Sequence, residues 1–524
     1  MAFIQVSIIN LLWPLAAIVF FTGSIIIRRR YFHPLSNVPG PFLWSISTLP
    51  IWYHQVVRGG RLLHVLPELH KIYGPVVRIS TNETHISSST DTASDYEQIY
   101  KVGSKFLKDP AFYKPMEAPV ATPILLTILS LDEHRLRRKM ITPFFSRQSV
   151  LDVEDMVWQK AHKLCDTIEA APCSREHPFP AYKAVRAVAI DVITEYAYAK
   201  CWDYLDDGKD FGNWYPEAIR SVQTMFPWLQ AFPVLIPLFQ GIPDWGKVVL
   251  FPAFKRWNDS LLAVCLAVKE VRRELAASIK PPRRTIIHDL IDPPAGTFDH
   301  GKMRVQLSDA AVFADAVNVT GAGTETTGAT KERAMFEVMS NPLAYQTLTK
   351  ELRDAFPDGK DMCLTRLEKL PYLTGVIKEA LRLNPGVPGR LPRVVPSGGS
   401  ELCGVRLAPG SVTSMSAWDM HRSAEVFPNP DLFDPNRWTL GSADEIRARE
   451  RHLVAFSRGS RGCVGQNLAM CELYCTIAAV FHRFDDLAVY GDFGHEDMEM
   501  TELVLGYHPQ RRRFKIMRTG KAAL

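Results

Sequence analysis

Near its C-terminus the chain reads Phe456-Ser457-Arg458-Gly459-Ser460-Arg461-Gly462-Cys463-Val464-Gly465, a single cysteine set among glycines and arginines. A thiolate, not a thiol, ligates a metal, and it is kept ionised by N–H donors, by positive charge and by the metal itself. The loop offers the first two. Glycines at 459, 462 and 465 allow backbone conformations closed to other residues and leave amide groups free to point at the sulfur. Arg461 adds a cation able to bond a carboxylate of a bound group. From Gln466 the pattern reads as a helix, so Cys463 lies at its positive end, which favours an anion. The plain alternative is a small buried cysteine in a glycine turn. Ordinary residue frequencies produce the template Phe-x-x-Gly-x-Arg-x-Cys-x-Gly about once in ten thousand chains of this length.

That signature closely resembles the haem-ligating loop of the cytochrome P-450 superfamily. The resemblance implies haem b with Cys463 as its axial thiolate and metal ligand, and Phe456, Gly459, Arg461 and Gly465 around the cofactor. Thiolate ligation of this kind pushes electron density toward O–O cleavage.

A second string, Val317-Asn-Val-Thr-Gly321-Ala322-Gly323-Thr324-Glu325-Thr326-Thr327-Gly328, lies inside a helical pattern. The pattern starts at Ser308, a plausible N-cap, and runs towards Asn341-Pro342. Three interior glycines cost about 3 kcal/mol relative to alanine, a local defect that calls for a packing or functional reason. One reason is a glycine-mediated helix crossing with an exposed glutamate. The other follows from the resemblance: Glu325-Thr326 matches the acid–alcohol pair of the family's distal helix. Ala322 and Gly323 then let the helix pass close over the haem, and a weakened hydrogen-bond ladder beside Thr326 leaves room for dioxygen and a water. Thr326 and Glu325 are the expected catalytic residues, supplying a hydrogen bond and a proton relay.

These groups need elements to hold them. Glu379 and Arg382 sit at i and i+3, where they can pair, although surface pairs at that spacing contribute little. They are followed by the proline-rich stretch from Pro385 to Pro396 and then by Phe433-Asp-Pro-Asn-Arg437-Trp438. That order resembles the family's Glu-x-x-Arg helix and the arginine completing its buried triad, so Glu379, Arg382 and Arg437 are expected to be structural. In Asp132-Glu-His134-Arg135-Leu-Arg137-Arg138, His134 and Arg138 are one turn apart where the family has its C helix. The family usually has Trp at the first of these positions. His134, Arg138 and Arg393 are expected at the haem propionates; exposed charges are the alternative.

With 524 residues, 47% of them hydrophobic, the chain has material for a large core, and it shows no linker, repeat or low-complexity block. The resemblance implies a fold that is mainly α with small β-sheets, the cytochrome P-450 fold, as a single haem domain with an N-terminal membrane anchor. Nine cysteines, odd in number and without paired spacing, argue for a reducing compartment and against a disulfide framework. The net charge of +5 carries no nucleic-acid signal.

Residues 1–27 contain no charge. About 27 residues at about 1.5 Å each span about 40 Å, enough for a hydrocarbon core near 30 Å. Arg28-Arg29-Arg30 follows at once, which reads as a single-pass signal anchor in the endoplasmic reticulum with the rest of the chain in the cytosol. Pro14, Asn10 and Gln5 weaken the helix and keep a monotopic insertion open. Residues 28–45 read as a basic, proline-rich hinge, in which His33 to Pro41 cannot be helical, and 46–524 as the haem-thiolate catalytic domain.

The apolar, proline-broken stretch from Phe226 to Phe239 is expected to cap the substrate channel and touch lipid, with ordinary core as the alternative. Arg135, Arg137, Lys139, Arg447, Arg449, Arg451 and Arg458 form a basic face to steer an acidic electron donor, or else a solvated surface. The whole set resembles a microsomal member most similar to fungal secondary-metabolism monooxygenases related to trichodiene oxygenase. It implies hydroxylation or epoxidation of an apolar small molecule with O2 and two electrons from NADPH-cytochrome P-450 reductase. The competing readings are a same-fold isomerase or dehydratase that does not use O2, and a non-catalytic haem-binding membrane protein.

Overall fold

Helices dominate the chain and its strands are short, the longest being the four residues Glu83–Ile86. The computed structural model describes residues 2–87, 92–208, 210–281, 283–294, 306–508 and 512–520, without the side chains of 2–12 and 92. The architecture is mainly helical with small sheets, as expected.

One apolar core runs in sequence from Phe112 to Ile516. At its centre is the long helix Asp309–Ser340, crossed by the helix Ala181–Tyr198, in which every residue from Ala184 to Thr194 is buried. The long helix begins as its N-cap predicts, with the Ser308 hydroxyl accepting from the Ala311 amide at 3.2 Å. It ends at Ser340, and Asn341 caps the next helix by accepting from the Leu343 and Ala344 amides.

The glycine-rich middle of this helix is continuous. A Cβ on Gly323 would lie 2.8 Å from Cγ1 of Ile193, and one on Gly328 would lie 2.6 Å from Cγ and 3.1 Å from Cα of Arg186. The glycines are therefore the condition for a close crossing with Ala181–Tyr198. The threonine hydroxyls turn back onto their own helix: Thr320, Thr324, Thr326 and Thr330 each donate to the carbonyl four residues earlier, at 2.7–2.9 Å.

Buried ion pairs join this helix to its neighbours. Lys331 Nζ is 2.7 Å from Glu472 of the helix Gln466–Arg483. Arg137, on the helix Leu131–Ile141, binds Asp315 through Nε at 2.9 Å and Nη2 at 2.6 Å, and its Nη1 donates to the Pro123 carbonyl. Arg137 is 3% exposed, which removes it from the basic face expected on the surface, because its charge is spent on a buried carboxylate.

A five-stranded sheet has the order β1 (Val76–Arg78), β2 (Glu83–Ile86), β7 (Val412–Ser414), β4 (Arg393–Val394) and β3 (Leu107–Lys108). Strands β2 and β7 are parallel, with His85 opposite Ser414. Beside it stand the hairpin of β5 (Ser400–Leu402) with β6 (Val405–Leu407), and two further strand pairs near the C-terminus.

The first helix runs Ala2–Tyr31, with Pro14 inside it and Arg28, Arg29 and Arg30 in its last turn. Among the described residues, no helix is long and apolar enough to cross a membrane. The expected spanning segment 1–27 is thus not shown, and part of it lies outside the described residues. The segment that follows is non-helical through Pro41, as its prolines require, but it does not stand off the body as a free hinge. Leu35 and Val38 are buried beside Val76, Ile86 and Tyr96. A Cβ on Gly40 would lie 2.4 Å from the Arg78 carbonyl oxygen, so only glycine fits against β1 there.

Replacing Asp315 by Asn leaves Arg137 buried without its counter-charge, a loss of about 3–5 kcal/mol. Removing the exposed partner of Arg135 in Asp132→Asn costs under about 1 kcal/mol. Equilibrium unfolding of the two variants separates these values, and equal losses would refute the role given to the buried pair.

Candidate active site

The cysteine loop is built by a short internal hydrogen bond and by one glycine. The Cys463 amide donates to the Phe456 carbonyl at 2.8 Å, closing the loop just before the helix Gln466–Arg483. Of its three glycines, only Gly459 has a left-handed φ, +69°, and a Cβ there would lie 2.1 Å from the Tyr100 carbonyl oxygen. Gly462 and Gly465 have ordinary φ values of −61° and −84°. A Cβ on Gly465 would come within 4.0 Å of the Cys463 sulfur. Of nine free cysteines, Cys463 alone is exposed, although protein surrounds it. That enclosure pushes the thiol up, while the Gly465 amide and the charge of Arg138 pull it back part of the way. The group is a thiol until a metal displaces its proton.

The loop is held from behind by Glu379. Its carboxylate accepts from Arg382 Nη2 at 2.7 Å and Nε at 2.8 Å, from Arg437 Nε at 3.0 Å, from the Trp438 indole at 3.1 Å and from the Asp434 amide at 3.1 Å. The expected triad is therefore one buried knot. Arg382 extends it: its Nη1 donates to the His421 carbonyl at 2.9 Å, and His421 Nδ1 returns a hydrogen to the Arg382 carbonyl at 3.0 Å. His421 Nε2 then accepts from the Val454 amide at 2.9 Å, two residues before Phe456. Burial and the neighbouring arginines Arg382 and Arg422 push this histidine down to about 3, against the carbonyl of Arg382, which favours its charge.

On the long helix, Ala322 is exposed while Thr324 and Glu325 beside it are buried. Thr326 is overlain by the segment after the Glu379 helix: a Cβ on Gly386 would lie 2.8 Å from Cβ of Thr326. Gly323, expected to face the cofactor with Ala322, instead abuts Ile193, because the close helix crossing takes that side. Glu325 is not the exposed glutamate of a simple crossing either. It is 3% exposed and accepts from Arg186 Nε and Nη2 at 3.0 Å each, and from Arg220 Nη2 at 3.1 Å. Burial pushes its carboxyl up, but the two guanidinium groups outweigh this and hold it below the usual range. Arg186 also pairs with Glu332 at 2.7 Å.

The expected propionate residues come together with one that the sequence did not flag. Lys108, on β3, is pushed well below the usual lysine range by burial and by Arg461, Arg393 and Arg138. His134 is pushed down to about 3 by burial, Arg461, Lys108 and Arg138. Neutral oxygens are the partners of these cations: Lys108 donates to the Leu126 carbonyl, Arg138 to Gly462 at 2.6 Å, Arg393 to the Tyr113 hydroxyl at 2.7 Å, and Arg461 to the carbonyls of Ile128, Leu129 and Ser130. Among the described residues, none of the four is ion-paired to a carboxylate. A single thiol donor, an accessible inner surface, and three guanidinium groups and a lysine without a carboxylate partner fit a haem with two propionates.

The family model for cytochrome P450 matches residues 39–515. The chain belongs to the cytochrome P450 family. It is 32% identical over 476 residues to a cytochrome P450 monooxygenase of Ascocoryne sarcoides, covering 89% of this chain and 90% of that one. It is 32% identical over 477 residues to the conidiogenone synthase of Penicillium rubens, covering 90% and 91%. It is 30% identical over 483 residues to the cytochrome P450 monooxygenase TRI4 of Trichoderma arundinaceum, covering 91% and 89%. Haem bound through a cysteine thiolate is the cofactor of this P450, and monooxygenation is its activity.

Glu379→Gln leaves two buried guanidinium groups sharing a neutral partner, and the expected loss of about 3–5 kcal/mol appears in denaturant unfolding together with haem release. His421 sets a pH dependence. With a folded value near 3 against 6.5 in the unfolded chain, the unfolded state takes up the proton first as pH falls. The stability that the neutral ring contributes is full above about 6.5 and is lost towards pH 3. His421→Gln is expected to flatten the pH dependence of unfolding between pH 6 and 4 by up to about 1.4 kcal/mol per pH unit, and an unchanged slope would count against it.

Proposed function

We propose that this P450 oxygenates an apolar small molecule of a fungal secondary-metabolite pathway, a terpenoid or a polyketide, with O2 and two electrons from NADPH through a flavoprotein reductase. The accessible Cys463 thiol just before the helix Gln466–Arg483 carries this reading, because among the described cysteines it alone has an exposed, soft donor. Cys463 would hold the iron, and His134, Arg138, Arg393, Arg461 and Lys108 would hold the propionates. Bound there, the haem supplies the redox centre at which dioxygen is activated.

The chain's own residues do the rest. Thr326 keeps its hydroxyl proton on the Ala322 carbonyl, at the accessible face of the long helix, available by a rotation about one bond. Glu325 reaches that face only by leaving Arg186 and Arg220; Glu332 stays with Arg186 when it does, and Arg220 keeps its place over the Tyr507 ring. The acid of the acid–alcohol pair is thus a gated proton carrier rather than a permanently placed one.

Phe112, Phe226 and Leu229 are buried apolar residues on the substrate side, and Gln230 Nε2 ties the apolar cap to the Phe112 carbonyl at 3.1 Å. The outer face of the cap exposes Trp228, Val234, Leu238 and Trp245, and Trp52 stacks edge-on to Trp228. Together with the uncharged N-terminal helix and Arg28 to Arg30, this supports attachment to lipid by residues 1–27 as a single-pass anchor, 28–45 as its junction and 46–524 as a catalytic domain in the cytosol at the endoplasmic reticulum. Arg135 and Arg447, in exposed pairs with Asp132 and Asp444 respectively, remain candidates for meeting the reductase, whereas Arg451 and Arg458 both lie against Glu97.

Cys463→Ala is expected to abolish the strongly red-shifted ferrous–CO band and all turnover. Retained oxygenation would sink the assignment. In Thr326→Ala, NADPH consumption is expected to continue with more peroxide and less product. An unchanged ratio of product to NADPH would show that the hydroxyl is not used.

A further inference from the structure

Three side chains that the haem site leaves unused meet beside the five-stranded sheet. His70 comes from the helix Leu62–Tyr73, His85 from β2, and Asp419 from the short helix Ala417–Met420. One nitrogen of each ring and one carboxylate oxygen lie within 4.8 Å of one another. His85 is fully buried; His70 and Asp419 are half-buried.

The hydrogen bonds settle how the rings are oriented. His70 Nδ1 is 2.8 Å from the Gly74 carbonyl oxygen, which only accepts, so this nitrogen carries the hydrogen. A carbonyl on one ring nitrogen leaves the other as a lone pair with its direction fixed, which is how metal-ligating histidines are held. The lone pair on His70 Nε2 accepts the hydrogen of His85 Nδ1 at 2.8 Å, so the lone pair of His85 is on Nε2. The remaining nitrogen of His85, Nε2, is buried without a hydrogen-bond partner. Burial holds both rings neutral, the form that binds a metal. Arg390, whose charge also acts on His85, is itself paired with Glu83 at 2.9 Å.

We propose that His70, His85 and Asp419 form a structural site for one divalent transition-metal ion of the zinc type, stapling Leu62–Tyr73 and β2 to Ala417–Met420. Two imidazoles and a carboxylate are a ligand set that zinc takes, with a water completing the tetrahedron. Bonds of about 2.0–2.1 Å place tetrahedral ligands about 3.3 Å apart, so the two ring nitrogens part by about 0.5 Å and the carboxylate oxygen closes in by at most about 1.5 Å, within reach of side-chain rotation. Binding through the two facing nitrogens moves the His85 hydrogen from Nδ1 to the unpartnered Nε2, so that each ring presents a lone pair to the ion. The ion would join segments more than three hundred residues apart in the chain and stabilise the folded state by mass action.

The test uses untagged holoenzyme dialysed against micromolar zinc chloride, with bound zinc per haem iron read by elemental analysis. The expected result is one zinc per haem in the wild type, with affinity reduced at least about tenfold in His70→Gln, His85→Gln and Asp419→Asn. The ferrous–CO spectrum reports that each variant is folded and is independent of the zinc count. Failure of the wild type to retain zinc would overturn the proposal, as would equal zinc in wild type and variants. Should the histidine variants fail to fold, the half-buried Asp419→Asn decides: folded protein with a wild-type zinc content overturns the site.

Discussion

A buried carboxylate at Glu379 is the constraint on which the catalytic half of this P450 hangs. An unpaired charge in a protein interior is strongly unfavourable, so Glu379 is tenable only with every lone pair engaged. Arg382, Arg437, Trp438 and the Asp434 amide do that between them, and in doing so they draw the chain around residue 434 against the helix Pro371–Leu383. The tension continues through Arg382 to His421, through His421 to the Val454 amide, and through the Phe456 carbonyl to the Cys463 amide. The position of the sulfur is thus the far end of a hydrogen-bond series that starts at a carboxylate.

Against that background the cations around Lys108 stand out. Elsewhere in the interior, charge meets charge: Arg137 with Asp315, Arg186 with Glu325 and Glu332, Lys331 with Glu472. Lys108, Arg138, Arg393 and Arg461 instead meet carbonyls and a hydroxyl, and burial together with the charges of the three arginines depresses Lys108. Four basic side chains gathered without a carboxylate among them hold a place for an anion, and two propionates answer that need.

Much of this was legible in advance, because local rules governed it. The Ser308 cap, the helix after Cys463, the Glu379 and Arg382 spacing and the break at the prolines of the junction all depend on neighbours in sequence. What failed to read out depended on partners far away. Gly323 was taken for the cofactor side of the long helix and serves the Ile193 side. The face of a glycine cannot be told until the helix it crosses is known. Glu325 was legible as an acid, but not as an acid held by Arg186, 139 residues earlier. Lys108 and His421 had no motif at all, since a lone lysine on a two-residue strand and a histidine after a four-residue helix carry no periodicity.

By itself the amino-acid sequence determined the chemistry: a thiolate donor in a loop before a helix, an acid beside an alcohol, and enough apolar matter for a large helical core. These are properties of residue types at short spacing, and no packing is needed to state them. Only the tertiary structure decided which charges are spent and which are free. Arg137 and Arg138 are adjacent in the chain, yet one is consumed by Asp315 and the other stands in the cationic cluster beside Cys463. Helical geometry turns successive side chains about 100° apart, so neighbours in sequence face different surroundings, and the fold alone supplies those surroundings.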